Sequence, residues 1–267
     1  MATATTPFVA VDIGNSRIKL ALFDSPVANA RQLPRPSRQL DLPPALEDSE
    51  LTALRTWLEA YRPADLPWLI GSVQRDTTSR LLDVLRDERV DRITLLASGD
   101  LPLQVSLPRP DRVGIDRLLG AVAANRLRTA GRPAIVVDLG TAITVDLISA
   151  QGAFQGGAIM PGIYMSARAM YEFTDLLPMI DMQSLDQPPP ALGTATVEAM
   201  TSGLFWGAVG GVKQLIELFA PPPTRAQVFL TGGAAASVAP LLSAEAQHEP
   251  LLVMAGIALS APGLLER

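Results

Sequence analysis

The sequence predicts an α/β protein of two lobes related by internal duplication. Two observations carry this prediction. Phe8-Val-Ala-Val-Asp-Ile-Gly-Asn-Ser16 and Ala134-Ile-Val-Val-Asp-Leu-Gly-Thr-Ala142 share one grammar, in which an apolar run leads to Asp, an apolar residue, Gly and a small residue. Their aspartates, Asp12 and Asp138, stand 126 residues apart in a chain of 267, close to half its length. Between and after the copies, short apolar runs alternate with segments of helical periodicity, the pattern of an α/β chain.

Each copy opens on an apolar run that reads as a buried strand. A second strand follows each turn. In the first copy Ser16, Ile18, Leu20 and Leu22 fall on one face and Arg17, Lys19 and Ala21 on the other; Thr144 to Ile148 plays the same part in the second. Asp48 or Ser49 caps a predicted helix with a stripe of Leu51, Leu54, Leu58 and Tyr61. Trp68 to Val73 reads as a strand, Thr78 to Arg86 as a helix, Arg92 to Leu96 as a strand, and Leu118 to Thr129 as a helix ended by Gly131. Gly156-Gly157 and Pro161-Gly162 bracket a short strand and turn leading into a helix with Ser166. A long helix runs from about Thr196 to Phe219, and Val228 to Gly233 is a last strand entering a glycine turn. The proline-rich stretches Leu33 to Pro44, Pro188 to Pro190 and Pro221 to Pro223 are expected as loops or connectors. The lobes are expected to divide near Gly114 to Arg117, as residues 1–117 and 118–267.

Composition narrows the chemistry. With 48% hydrophobic and 18% charged residues the chain has ample material for a core. A net charge of −5 without a basic block argues against nucleic acid as a partner. There is no cysteine, hence no disulfide, thiolate metal site or cysteine nucleophile. His248 is the single histidine, beside Glu249 and Pro250, which excludes a two-histidine metalloprotease and leaves a Ser–His–Asp triad dependent on it alone. The uncharged stretches Val228 to Ala244 and Leu251 to Leu265 contain glycine pairs or proline and fall short of a membrane span, and Met1 to Pro7 has no signal-peptide pattern. The expectation is a cytoplasmic protein with no membrane partner.

The duplicated motif has a physical logic. An aspartate at the carboxyl end of a buried strand stands where open α/β sheets place ligands, and can hold a cation that neutralises phosphate. The glycine lets backbone N–H groups approach a phosphate, and Asn, Ser or Thr adds side-chain donors. Two such hairpins facing one another would clamp a nucleotide triphosphate. A single copy reads equally well as an ordinary hairpin turn. Gly114-Ile115-Asp116-Arg117 is the sharpest chemical signal: Asp116 opens a predicted helix, whose amides favour an ionised carboxylate able to accept a hydroxyl proton, and Arg117 can grip a carboxylate in a fork. A helix cap with a surface ion pair is the plain alternative.

With Thr231-Gly232-Gly233 closing the last strand, the duplicated hairpin resembles the actin, sugar kinase and heat-shock chaperone superfamily. Within it the chain looks most like the type III pantothenate kinase family, from about Val9 to Ala258, on Asp12-Ile-Gly-Asn-Ser16, Gly114-Ile-Asp-Arg117, Asp138-Leu-Gly-Thr141, Gly156-Gly-Ala-Ile-Met-Pro-Gly162, Thr196-Val-Glu-Ala-Met200 and Thr231-Gly-Gly233 in family order. The resemblance implies a two-lobed duplicated actin-like (ribonuclease H-like) fold with a mixed sheet flanked by helices in each lobe. It implies transfer of phosphate from ATP, with Mg2+, to pantothenate, the first step of coenzyme A synthesis. Asp116 matches the catalytic base. Asp12, Ile13, Gly14, Asn15, Ser16, Arg17, Ile18 and Lys19 match the first ATP loop and Thr141 a further ATP contact. Asp138 matches a monovalent-cation ligand, for K+ or NH4+. Leu107, Gly114, Ile115, Asp116, Arg117 and Thr196 match substrate positions, and the family usually forms a homodimer.

Three features leave choices open. Family members usually carry an aromatic, often Tyr, where this chain has Leu107, so that contact is lost or comes from elsewhere, Arg109 and Arg112 being the nearest candidates. Thr196 fits a substrate contact or a helix N-cap with Glu198 nearby. Gly203, Gly207 and Gly211 recur every four residues, giving a flat strip for close packing inside the protomer or at a subunit interface. Two other functions share these motifs: a kinase of the same fold with another acceptor, and a non-catalytic nucleotide-binding regulator.

Overall fold

The computed structural model describes residues 6–24, 31–61, 66–182, 187–243 and 245–265. Met1 to Thr5, the Tyr61 side chain and Ala244 lie outside them. Contacts group the rest into two compact units, residues 1–103, 108–127 and 252–267 in the first and 104–107 and 128–251 in the second. This differs from a single cut near Gly114 to Arg117. Helix α3 (Ile115–Leu127) stays with the first unit, and the chain returns there at its end, because α3 packs against α7 (Leu252–Ser260).

The first unit is a five-stranded sheet in the order β3-β2-β1-β4-β5. Its strands are β1 (Phe8–Ile13), β2 (Ile18–Phe23), β3 (Arg38–Leu42), β4 (Trp68–Ser72) and β5 (Ile93–Leu95). β1 pairs antiparallel with β2 and parallel with β4, so the sheet is mixed. Val9, Val11 and Ile13 of β1 join Ile18 and Leu20 of β2 in a core closed by Leu54 and Leu58 of α1 (Asp48–Tyr61) and Leu81 and Leu85 of α2 (Arg75–Asp87). β3 lies inside the stretch expected as a loop. Its flanking prolines are tolerated because it is an edge strand, and Leu40 and Leu42 pair opposite Leu20 and Ile18.

The second unit repeats the plan with five strands in the order β10-β9-β6-β7-β8. These are β6 (Ala134–Leu139), β7 (Ala142–Ile148), β8 (Phe154–Pro161), β9 (Gln227–Thr231) and β10 (Gln247–His248). β6 again sits centrally, antiparallel to β7 and parallel to β9. Helices α4 (Ile163–Glu172), α5 (Thr196–Phe219) and α6 (Ala235–Leu242) follow the strands. Ile135, Val137 and Leu139 pack with Phe205, Val209 and Val212 of α5 and Val238 of α6. A short helix α8 (Pro262–Leu265) ends the described chain. None of the described helices is long and apolar enough to cross a membrane.

Candidate active site

In each unit the aspartate of the repeated motif stands at the carboxyl end of the central strand. Asp12 is paired with Lys19 on one side and Gly71 on the other. Asp138 is paired with Thr144 and Thr231 in the equivalent places. The turns differ. The first spans Gly14 to Arg17 and is closed by the Gly14 N–H donating to the Arg17 carbonyl at 3.0 Å. The second spans Gly140 to Ala142, with Leu139 and Ile143 as facing partners, and is one residue shorter.

Along the first hairpin the burial alternates. Asn15, Ser16 and Arg17 are exposed, Asp12, Gly14 and Lys19 are partly buried, and Ile13 and Ile18 are fully buried. Ile13 and Ile18 belong to the core, so only their backbone is available to a ligand. The Arg17 guanidinium lies 4.0 Å from Asp41 in an exposed pair, which contributes little to stability.

Asp116 occupies the first turn of α3, in the same unit as the first hairpin. Its carboxylate Oδ1 accepts the Arg117 N–H at 2.8 Å. That carboxylate folds back over Gly114: a Cβ there would stand 2.6 Å from Oδ1, and 3.7 Å from Cγ1 of Val73. The Val73 N–H in turn donates to the Ile13 carbonyl at 3.1 Å. The Gly-x-Asp-Arg segment therefore meets the carboxyl ends of β4 and β1, where the first hairpin begins. Burial pushes the Asp116 carboxyl above the usual carboxylate range, opposed by the Arg117 N–H and the Arg117 charge. The expectation that helix amides favour the ionised form captures the opposing effect; desolvation is the larger one.

The second unit gathers Asp138, Gly140, Thr141, Thr231 and Gly232 at one sheet end. Gly232, at φ +95°, lies against Asp138; a Cβ would stand 2.5 Å from Asp138 Oδ1, and only glycine takes this backbone readily. Thr141 is partly buried, and its carbonyl accepts the Gly162 N–H at 3.0 Å. Leu107 also belongs to this unit, beside the bulged Gly156. The first unit thus holds residues 12–19 and 114–117, and the second holds Leu107, Asp138, Thr141 and Thr196.

Several open choices close. Thr196 is exposed at the start of α5, but Ala195 is the N-cap residue. Glu198 Oε2 instead accepts the Thr194 N–H at 2.9 Å and hydroxyl at 2.8 Å, which holds its carboxyl below the usual range. Thr196 has no capping role of its own. Arg109 is engaged by Asp111 through two hydrogen bonds at 3.0 and 2.8 Å, so its fork is already occupied. Gly203, Gly207 and Gly210 carry an open strip on α5, where an added Cβ would meet nothing within 4 Å; Gly211 instead faces Met160. Thr196 is seven residues before Gly203 and lies on the same helix face.

Sequence reasoning missed Asp146. It is fully buried in β7 and partnered in register by Val136 and Gly157. A charge inside the apolar run Thr144 to Ile148 was the available signal. Among the described residues no three His, Cys, Asp or Glu side chains cluster as a metal cage.

The chain matches the type III pantothenate kinase family over residues 8–218. The type III pantothenate kinase of Rhodopirellula baltica is 34% identical over 264 residues, covering 92% of this chain and 95% of that one. That of Chlorobaculum parvum is 38% identical over 173 residues, covering 62% of this chain and 63% of that one. Among solved structures, a Campylobacter jejuni protein of the Baf family superposes with a TM-score of 0.59 at 20% identity, covering 97% of this chain and all of that one. At that identity the shared property is the fold, the actin-like type.

The raised Asp116 carboxyl has a consequence for stability. A carboxyl with a higher pKa folded than unfolded favours folding while protonated. This contribution is full below the unfolded value near about 3.9 and is lost as pH rises through the folded one. Ionised Asp116 is therefore a stability cost at neutral pH, and Asp116→Asn is expected to keep or raise the Tm at pH 7. A clear fall in calorimetric Tm contradicts this.

Proposed function

The chain belongs to the type III pantothenate kinase family, and on that premise we propose how its residues divide the work. The reaction is ATP-dependent phosphorylation of pantothenate to 4′-phosphopantothenate, which opens coenzyme A synthesis, and like other kinases it uses a divalent metal with ATP. The observation that carries the residue assignment is Asp116: a partly buried carboxylate with a raised pKa, at the helix start that meets the ends of β1 and β4.

Asp116 accepts the proton of the pantothenate primary hydroxyl as its oxygen bonds to the γ-phosphorus of ATP and the bond to the β-phosphate oxygen breaks, releasing ADP. Raising its pKa makes the carboxylate a better base. Arg117 pairs with the pantothenate carboxylate, and the Gly114 and Ile115 backbone lies alongside the substrate. The turn of residues 12–19 offers backbone N–H groups, Asn15, Ser16 and Lys19 to the phosphates. Thr141 adds an ATP contact. Asp138 holds the monovalent cation, K+ or NH4+, beside the glycine turn at Gly232. The bound divalent ion supplies charge neutralisation on the phosphates; the protein's residues supply position.

Leu107 takes the place of a hydrogen-bonding aromatic, so one substrate contact is apolar only. Beside the open strip of Gly203, Gly207 and Gly210 on α5, helices α4 and α5 and the residue after α4 expose apolar side chains. Phe173 is 84% exposed, and Tyr171 of α4 and Val197 of α5 are also exposed. Apolar area of this kind is uncommon on a monomer. It supports a homodimer formed through α4 and α5, with Thr196 on the joining face.

Four experiments test these assignments. ADP release is expected to depend on pantothenate and to be faster in K+ than in Na+. Asp116→Asn should cut turnover at least about a hundredfold with ATP affinity kept, and the acid limb of the wild-type profile should lie above ordinary carboxylate values; unchanged turnover removes Asp116 from the mechanism. Leu107→Tyr is expected to lower the KM for pantothenate about threefold to tenfold, since one added hydrogen bond contributes about 1 kcal/mol, and to leave the KM for ATP alone. Gly207→Arg should convert a dimer to a folded monomer in light scattering, because among the described residues nothing lies within 4 Å of a Cβ there; a dimer that persists places the interface elsewhere.

A further inference from the structure

The strand-to-helix junction at Pro161-Gly162 reads from sequence as a turn leading into a helix. In the structure it touches the nucleotide machinery. β8 ends at Pro161, and Gly162 is the N-cap residue of α4, at φ −66° and ψ 164°. That backbone suits any residue, so conformation does not require glycine here. Space does. A Cβ on Gly162 would overlap the carbonyl oxygens of both Gly140 and Thr141. The Gly162 N–H also donates to the Thr141 carbonyl at 3.0 Å. Gly162 is thus pressed flat against the two peptides that form the second hairpin turn.

We propose that Gly162 is a positioning residue for ATP and the monovalent cation: its missing side chain and its N–H fix the orientation of the Gly140 and Thr141 peptides. The proposal rests on the assignment of Thr141 to ATP and Asp138 to the cation. Two walls then define this turn. Gly232 bounds it on the Asp138 side, and Gly162 on the Thr141 side. The second turn is a residue shorter than the first, and the first is closed by its own Gly14 to Arg17 hydrogen bond. The short turn takes a further support from the start of α4, through the Gly162 N–H. Even a methyl group at residue 162 must push the turn away, and small displacements of a positioning group are costly in phosphoryl transfer.

Gly162→Ala is expected to raise the KM for ATP roughly tenfold and the half-activating K+ concentration in the same direction, with the KM for pantothenate changed less than twofold. ADP alone should also give a smaller thermal shift than with the wild type, a readout independent of turnover. Gly152→Ala is the control. Gly152 has φ +92° in the turn at the opposite end of the β7–β8 hairpin, so its variant should lose Tm while keeping the KM for ATP. Equal effects of the two variants on the KM for ATP, or an unchanged KM and cation response in a folded Gly162→Ala protein, overturn the proposal. If Gly162→Ala does not fold, Pro161→Ala decides. It keeps Gly162 but frees the φ angle before it, and should raise the KM for ATP severalfold; no change overturns the proposal. A wild-type enzyme that does not respond to pantothenate or K+ at all would instead refute the reading on which it rests.

Discussion

A carboxylate at the end of a buried central strand has little freedom to choose where it points. In β1, Val9, Val11 and Ile13 face the core, so Asp12 must face the other way. The same holds for Asp138 between Val137 and Leu139 in β6. A slip of one residue would drive each carboxylate into a leucine- and isoleucine-lined interior, which the sheet cannot accept. Hydrophobic register therefore aims the polar group. The antiparallel partner then brings a tight turn to that end, and the parallel partner brings Gly71 or Thr231. Duplicating this one arrangement yields two polar turns, one at the end of each central strand.

The two copies have diverged where their neighbours differ. The first turn is longer and bonded to itself, and its exposed Asn15 and Ser16 present side-chain polar groups. The second is shorter and walled by glycines from β9 and from the start of α4. The first unit also carries the helix start at Asp116, where burial raises a carboxyl that a folding chain would sooner leave in water. Fold stability and the proposed basicity oppose one another at that residue, as they commonly do at functional sites.

Local pattern made much of this legible. The strand periods and the Asp-x-Gly grammar are short-range signals, and α5 begins and ends at the expected residues, Thr196 and Phe219. What stayed hidden depends on distant partners. β3 forms in a proline-flanked segment because Leu40 and Leu42 find β2. α7 has no polar face to give a period: Leu252, Met254, Ala255, Gly256, Ile257 and Ala258 are all buried. Its packing on α3 makes the first unit discontinuous in sequence. At the sites, sequence named Asp116 and Gly114 but not the reason they go together, which is that the carboxylate lies over the glycine. Ile13 and Ile18 sit within the matched loop yet point into the core. The N-cap of α5 is Ala195, and Glu198 binds Thr194 ahead of it, which no spacing rule for Thr196 revealed.

The departure at Leu107 falls on the side of the reaction where sequence has most freedom. Phosphate turns rely on backbone N–H groups and on glycines that permit close approach, so few substitutions survive there. Recognition of the acceptor relies on side chains, and one can be exchanged without disturbing a turn. Leu107 sits beside Gly156 at a bulge in β8, while Arg109, the nearest cation in sequence, already spends its fork on Asp111. In the proposed assignment the charge for an anionic acceptor is Arg117, at the start of α3 beside Asp116. Under the proposed roles, substrate choice rests on that charge and on apolar contact more than on a phenolic hydrogen bond.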